Sequence, residues 1–492
     1  MNKYKVREND WRNGMIVYQV IVDRFAPSNK DKKDLYNKPR VFHSWNEEPK
    51  RGVFLEKEKY WSHELDFWGG DLESLMNKMD YLNELGIDCL YLNPIQESMS
   101  NHKYDATNYM EISKEYGTKK DLKRLIDLLH ENNKKIVLDG VFNHVGVNSL
   151  YYTEAIKGNN KYKDWFYFDD KYPNKVRLWA DATSLPELNL ENEKVREYIY
   201  KNDDSVVRSF LKLGIDGWRL DVAFDIGYKY LKELTDYAHK EKEKSLVVGE
   251  IWNYPQKWLK SIDGIINFTT REIIIKGVKN EIKPFIVNQM LDKMIEDTGI
   301  EEVLKSWNVL DNHDTARLKH ILPKVEDQKL AQVLQFTLPG AVNLYYGTEL
   351  GMDGGDDPLN RAPMKWELVN SENKDLIWNK KLIEIRKNNR ALKIGDYLSL
   401  ISEKFITFIR HTDDVNDTVL VVINPNDEEI NENILVRDSD IMNYSNFEIL
   451  LGEAKHYNIS GGMLNITLKA KGFIILKPYT KARLSYTPYK RI

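Results

Sequence analysis

From about residue 15 to residue 346, short β-branched runs alternate with stretches whose apolar residues recur every three or four positions. This is the pattern of parallel strands joined by helical crossovers. The runs predict eight strands, at 15–22, 89–93, 135–142, 217–222, 245–251, 263–267, 307–310 and 341–346. Eight strands favour a closed (β/α)8 TIM barrel over an open sheet. Among the helices, Leu72, Leu75, Met76, Met79, Leu82 and Leu85 trace one apolar face that ends at Gly86. Leu122, Leu125, Ile126 and Leu129 trace another, with Thr118 and Asp121 as capping residues at its start. The alternation lapses between Val145 and about Leu185, where Tyr151, Tyr152, Tyr162, Trp165, Phe166, Tyr167 and Trp179 accumulate, which predicts an excursion after the third strand. Beyond a helix over about 374–387, the runs 405–408, 419–422 and 472–476 are separated by Asn, Asp and Gly turns and predict an antiparallel β-domain. The expected organisation is a first barrel part at 1–144, an excursion domain at 145–185, a second barrel part at 186–390 and a C-terminal β-sandwich at 391–492.

A chain of 492 residues suits one large domain and a smaller module. With 42% hydrophobic and 30% charged residues it falls among globular proteins, away from disordered and membrane classes. The 72 basic residues are matched by 76 acidic ones, so the net charge of -4 gives no bias toward nucleic acid or an anionic membrane and is compatible with a neutral substrate. Cys89 is the only cysteine, so no intrachain disulfide forms, and its apolar neighbours predict a packed thiol. The first fourteen residues lack the apolar core of a secretory signal and no long apolar span follows, which predicts a cytoplasmic protein. The 12 Trp and 28 Tyr read equally as core side chains or as stacking platforms for sugar rings.

In such a barrel, side chains just beyond the carboxyl ends of the strands converge on one face. The third predicted strand carries Asp139 and leads to Asn143 and His144; the fourth ends in Arg219-Leu-Asp221, the fifth in Glu250-Ile-Trp252, and the seventh leads to Asp311-Asn-His313-Asp314. A single charged residue at a strand end is more often a cap or a surface partner, but carboxylates delivered to one rim by four strands point to chemistry. Strand alternation turns Arg219 and Asp221 to the same face, where a cation keeps a carboxylate ionised and suits it to nucleophilic attack. Glu250 leaves the buried run Leu246-Val-Val-Gly, whose apolar walls would raise a carboxyl pKa and suit a general acid. Glycoside cleavage with retention needs this division of labour, with the two carboxyl groups roughly 5 Å apart. His144 and His313 are neutral donors for sugar hydroxyls; an isolated histidine is more often a core residue, and here the nearby Asp139 and Asp314 favour the functional reading.

These segments resemble the α-amylase family, glycoside hydrolase family 13. Asp139-Gly-Val-Phe-Asn-His144, Gly217-Trp-Arg-Leu-Asp-Val222, Gly249-Glu-Ile-Trp252 and Leu310-Asp-Asn-His-Asp314 are similar to its four conserved regions, in order, and Leu185-Pro-Glu-Leu-Asn189 to a fifth. The likeness runs from about Tyr18 to Trp366. It implies Asp221 as nucleophile, Glu250 as general acid/base and Asp314 as stabiliser of the distorted sugar, with Asp139, His144, Arg219 and His313 around the cleavage subsite. The segment Asn101-His-Lys-Tyr-Asp105 resembles one that brings His102 and a stacking Tyr104 to the same sugar. Asp357 and Arg361 resemble a pair that binds the preceding sugar; without the family, their loop is only a Gly/Asp turn cluster. The segments at 67–71, 100–105 and 351–355, with Trp252, are most similar to those of cyclomaltodextrinases, neopullulanases and maltogenic amylases. An α-glucan oligosaccharide substrate is implied, a maltodextrin or cyclodextrin cleaved at α-1,4 bonds, with α-1,6 cleavage and transglycosylation as further activities. Phe224 and Asp225 depart from that group, which usually shows Asn-Glu there, and its N-terminal dimerisation domain has no room here, so oligomeric state stays open.

Calcium is the one cofactor the resemblance implies, with oxygen ligands from Asn143 or from a loop near Asn29, Asp31 and Asp71. The same residues also read as turn caps, and Pro27 and Lys32 stand where relatives tend to place ligands. No organic cofactor is expected. Two other readings remain open: a disaccharide-acting α-glucosidase or isomerase, and a noncatalytic carbohydrate-binding relative. The three carboxylates weigh against the second.

Overall fold

The eight runs close into a barrel in the computed structural model, which describes residues 2–482 and 485–491. The strands are β1 (Ile16–Val20), β2 (Cys89–Leu92), β3 (Lys135–Gly140), β4 (Gly217–Leu220), β5 (Leu246–Ile251), β6 (Gly264–Asn267), β7 (Trp307–Val309) and β8 (Ala341–Tyr345). They pair in parallel in sequence order, and β1 meets β8 to complete the ring. Both faces of each strand are buried, which is why the strands read as continuous apolar runs. Val17, Tyr91, Val137, Val248, Trp307 and Val309 fill the interior, while Ile16, Leu90, Leu138, Leu220, Val247 and Leu344 face the surrounding helices. The same alternation sends Asp139, Arg219 and Glu250 to the inner side at the carboxyl rim, because each lies two residues beyond an inward-facing position.

The apolar face predicted over 72–85 belongs to two helices, Leu72–Met76 and Met79–Leu85. Lys78 leaves helical geometry at φ -106° and ψ 15°, and its ammonium stands 4.0 Å over the Trp366 ring. Leu72, Leu75, Met79, Leu82 and Leu85 are buried as expected; Met76 is only partly so. Thr118 and Asp121 form a capping box on the helix Lys119–Glu131, which buries Leu122, Leu125, Ile126 and Leu129.

Between β3 and β4, the Tyr151 ring packs against Tyr162, Trp165 and Tyr198. Bridges from Phe166 to Leu188 and from Leu178 to Pro186 carry this excursion a few residues past Leu185. After the helix Lys374–Asn388, a five-stranded and a three-stranded antiparallel sheet face each other across Phe405, Ile409, Leu420, Ile434, Leu464 and Ile474. Ile406, Phe408, Val419 and Val421, on the opposite face of the larger sheet, join the core around the barrel.

Candidate active site

The residues predicted at the strand ends meet in a cleft of about 370 Å3 at the carboxyl rim. Asp221, Glu250 and Asp314 line it together with His102, Tyr104, His144, Trp252, Asp357 and Arg361. Arg219 is fully buried beneath the floor and joins the acids. Its Nη1 donates to Asp221 Oδ1 at 3.0 Å and to Asp139 at 2.8 and 3.0 Å, while Nη2 lies 2.9 Å from Glu250 Oε2. One cation thus serves three carboxylates. Asp139 and His313 are buried like Arg219 and stand behind the cleft wall, where they orient the residues that line it.

Two electrostatic expectations are corrected. Glu250 is not enclosed by apolar walls: Oε2 accepts from the Val222 N–H at 3.0 Å and Oε1 from Trp252 Nε1 at 2.7 Å. Nor does Arg219 dominate at Asp221. Burial, with repulsion from Glu250, Asp139 and Asp314, outweighs the guanidinium and pushes the Asp221 carboxyl well above the usual carboxylate range. Asp314 goes the other way. Burial pushes it upward, but His313 at 2.9 Å, Arg361 at 3.4 Å and Arg219 hold it well below the usual range.

Val222 follows Asp221 in the left-handed region, φ 38° and ψ 48°. That is a strained conformation for a β-branched residue, and it is the residue whose N–H meets Glu250. Burial lowers the pKa of His144 to about 3, so the ring is neutral. It stacks on Trp179 with centroids 5.1 Å apart, and its unpartnered Nε2 lies 3.9 Å from Asp221 Oδ2.

Tyr104 lies parallel to His313, centroids 5.3 Å apart at 5°, and donates its O–H to Asp139 at 2.8 Å. His313 is held as a single tautomer. Gln19 Oε1 accepts from Asn343, so the Gln19 amide nitrogen donates to His313 Nδ1 at 2.8 Å and leaves Nε2–H to face Asp314 and Tyr104. Arg361 Nε donates to the His313 carbonyl and pairs with Asp357 at 3.2 Å.

Sequence reasoning missed Gln19, Asn93, Tyr91 and Glu64. The first three were signalled by polar groups inside or at the end of apolar strand runs: Asn93 donates to the Tyr104 hydroxyl, and Tyr91 donates to Asp139 at 2.6 Å. Glu64 lines the cleft and reaches His102 at 3.4 Å, from the single 3-10 turn Ser62–Leu65, too short for a periodic signal. The departures at 224 and 225 also meet the cleft. Phe224 lines it, and Asp225 accepts from Trp179 Nε1 at 3.0 Å.

The loop residues Asn29, Asp31 and Asp71 do not fit calcium. Asp71 caps a helix through Ser74 and accepts from Ser28 at 2.7 Å, and the buried Lys32 ammonium lies 2.6 Å from its Oδ2. That ammonium also donates to the carbonyls of Glu115 at 2.8 Å and Gly69 at 3.2 Å, so a fixed cation already fills the oxygen cage. Asn29 and Asp31 are exposed, and Asp31 caps the turn at Lys33. Among the described residues no group of three His, Cys, Asp or Glu side chains is arranged to hold a metal ion.

A closed parallel barrel that gathers buried acids at its carboxyl rim beside aromatic ledges is built as a glycoside hydrolase of the barrel type. The model of the alpha amylase catalytic domain matches residues 19–394, and the chain belongs to the alpha-amylase family of glycoside hydrolases. It is 35% identical over 413 residues to a maltogenic alpha-amylase from Bacillus acidopullulyticus, covering 80% of this chain and 66% of the relative. It is 31% identical over 442 residues to a cyclomaltodextrinase from Bacillus sp, covering 84% of this chain and 73% of the relative. The chain thus spans about two thirds to three quarters of the length of these relatives. Among solved structures, the native debranching enzyme of Nostoc punctiforme superposes with a TM-score of 0.80 at 28% identity, covering 95% of this chain and 98% of that one. The Arthrobacter globiformis cyclic alpha-maltosyl-(1→6)-maltose hydrolase, in complex with that sugar, gives 0.79 at 25% identity, covering 95% and 99%. No helix among the described residues is long and apolar enough to cross a membrane.

Proposed function

We propose that the chain is a retaining glycoside hydrolase that cleaves α-1,4-glucosidic bonds of maltodextrins and cyclodextrins, with α-1,6 cleavage and glycosyl transfer as accompanying activities. The observation that carries this reading is the placement of Asp221 and Glu250 on the two terminal nitrogens of one guanidinium. Oxygens held that way fit the separation of roughly 5 Å that retention requires. Asp221 attacks the anomeric carbon as Glu250 protonates the departing glycosidic oxygen. Water or a second sugar then releases the glycosyl group from Asp221, with Glu250 taking the proton. Asp314, held ionised, grips hydroxyls of the distorted ring and stabilises its positive charge. Neutral His144 offers Nε2 to a hydroxyl, Tyr104 supplies a flat apolar surface for the ring, and Asp357 with Arg361 receives the preceding sugar.

The substrate reading is supported by relatives named maltogenic alpha-amylase and cyclomaltodextrinase, and by a structural neighbour whose ligand is a cyclic maltosyl-maltose. A cytoplasmic location is supported by a relative named intracellular maltogenic amylase from Bacillus subtilis, 32% identical over 428 residues. The test is purified protein on maltotriose and β-cyclodextrin, with the fresh anomer followed by proton NMR. The α-anomer should appear first. Release of the β-anomer, or no release of reducing sugar, would sink the reading.

A further inference from the structure

Trp179 reaches the cleft from the tip of the excursion, where its side chain is only partly buried and lines the cleft beside Leu185. The tip is a tight turn. The Trp179 N–H donates to the Leu185 carbonyl at 3.0 Å, and the Ala182 N–H donates to the Trp179 carbonyl at 2.9 Å. Between them Ala180, at φ 47° and ψ 33°, and Asp181, at φ 58°, both occupy the left-handed region, which residues with a Cβ seldom enter. Two such residues in succession persist only where neighbouring contacts hold them. The barrel supplies two contacts to the indole. Asp225, on the first turn of the helix Ala223–Glu241 that follows the nucleophile strand, accepts from its Nε1 at 3.0 Å, and the His144 ring lies against its face.

His144 needs such a neighbour. Its ring is buried, and neither nitrogen has a partner at hydrogen-bonding geometry, although the Tyr104 carbonyl is near enough to act on it. An imidazole that no hydrogen bond orients is placed by the flat surface it packs on, and here that surface is the indole. Resting on the reaction proposed above, we propose that Asp225 is a positioning residue: by holding Trp179 it fixes the His144 ring with Nε2 turned toward the sugar beside Asp221. The link crosses from one part of the chain to another. Asp225 belongs to the barrel and Trp179 to the excursion, so the same bond fastens the excursion beside the nucleophile.

The test measures kcat and KM on maltotriose for Asp225→Ala, Asp225→Asn and Trp179→Phe, and for Asp225→Ala placed in the His144→Ala and Trp179→Phe backgrounds, thermal unfolding confirming that each is folded. Asp225→Ala should lower kcat/KM about tenfold, chiefly through kcat, as expected for the loss of one hydrogen bond to a charged acceptor. Asp225→Asn keeps an acceptor oxygen and should stay within about twofold of the native protein. In either background Asp225→Ala should change kcat/KM by less than about twofold, because the link it breaks is already gone. A full tenfold fall in those backgrounds overturns the proposal, since Asp225 would then act apart from the ring. So does a fall in Asp225→Asn as large as in Asp225→Ala, or no fall in either. Where His144→Ala is too slow to measure, the Trp179→Phe background decides alone. Native protein that releases no reducing sugar from maltotriose overturns the reaction itself, and the positioning role with it.

Discussion

Arg219 touches Asp139, Asp221 and Glu250 at once. The sequence showed that Arg219 and Asp221 share a face. It did not show how many carboxylates compete for that one cation, because their neighbours come from strands far apart in the chain. In the reaction proposed above, Asp221, pushed upward by burial first and by the other acids next, sets the acid limb of activity through its ionisation. The pH profile of kcat/KM should therefore lose activity on acidification at a pH above the ordinary carboxylate value of about 4. A limb at or below that value would contradict the role of Asp221. Glu250→Gln keeps the size of the side chain and removes the transferable proton, so kcat on maltotriose should fall by about 10² to 10⁴.

Elements hold these residues through buried polar ties that periodicity does not reveal. Asp216, just before β4, accepts from the Ile136 N–H at 3.0 Å and meets His130 at 2.7 Å and Lys242 at 2.8 Å, joining β3, β4 and their helices. Burial pushes this carboxyl up, but His130, Lys242 and Lys135 prevail and lower its pKa to about 2. A depressed folded-state pKa adds stability that is present above the unfolded value, near 3.9, and is lost as pH falls through the folded one. Asp216→Asn should lower unfolding stability at pH 7 by roughly 2 kcal/mol, and the gap to native protein should shrink between about pH 4 and pH 2 in urea titrations. The Lys32 cage belongs to this scale too. Removing one member of a buried ion pair strands the other, so Lys32→Ala should destabilise by roughly 3 kcal/mol. A chelator should leave the Tm of native protein unchanged; a drop on chelation would show that a metal holds this loop.

Across the whole molecule, the features legible in the sequence were those with a short period. All eight barrel strands lie within two residues of the predicted bounds, since strands buried on both faces are marked by β-branched runs. Asp221, Glu250 and Asp314 were legible because they sit at fixed offsets from those runs. The apolar face over 72–85 was found, yet its break at Lys78 was not, since the apolar spacing runs on through it. Glu64, from a short 3-10 turn, and Gln19, inside a strand, reach the site only once the barrel closes. Three strands of the larger C-terminal sheet were visible as runs, and none of the smaller sheet. That the larger sheet presents Ile406, Phe408, Val419 and Val421 to the barrel side was not, since it depends on which face meets which. The sequence alone determined the class of fold, the order of its strands and the placing of Asp221, Glu250 and Asp314 at strand ends, for periodicity and strand-end position are local properties of the chain. The tertiary structure alone decided how one guanidinium is shared, which carboxyl is pushed upward, and that Lys32 fills the cage expected for calcium. Each of these depends on distances and burial among residues remote in sequence, and charge and desolvation act through space.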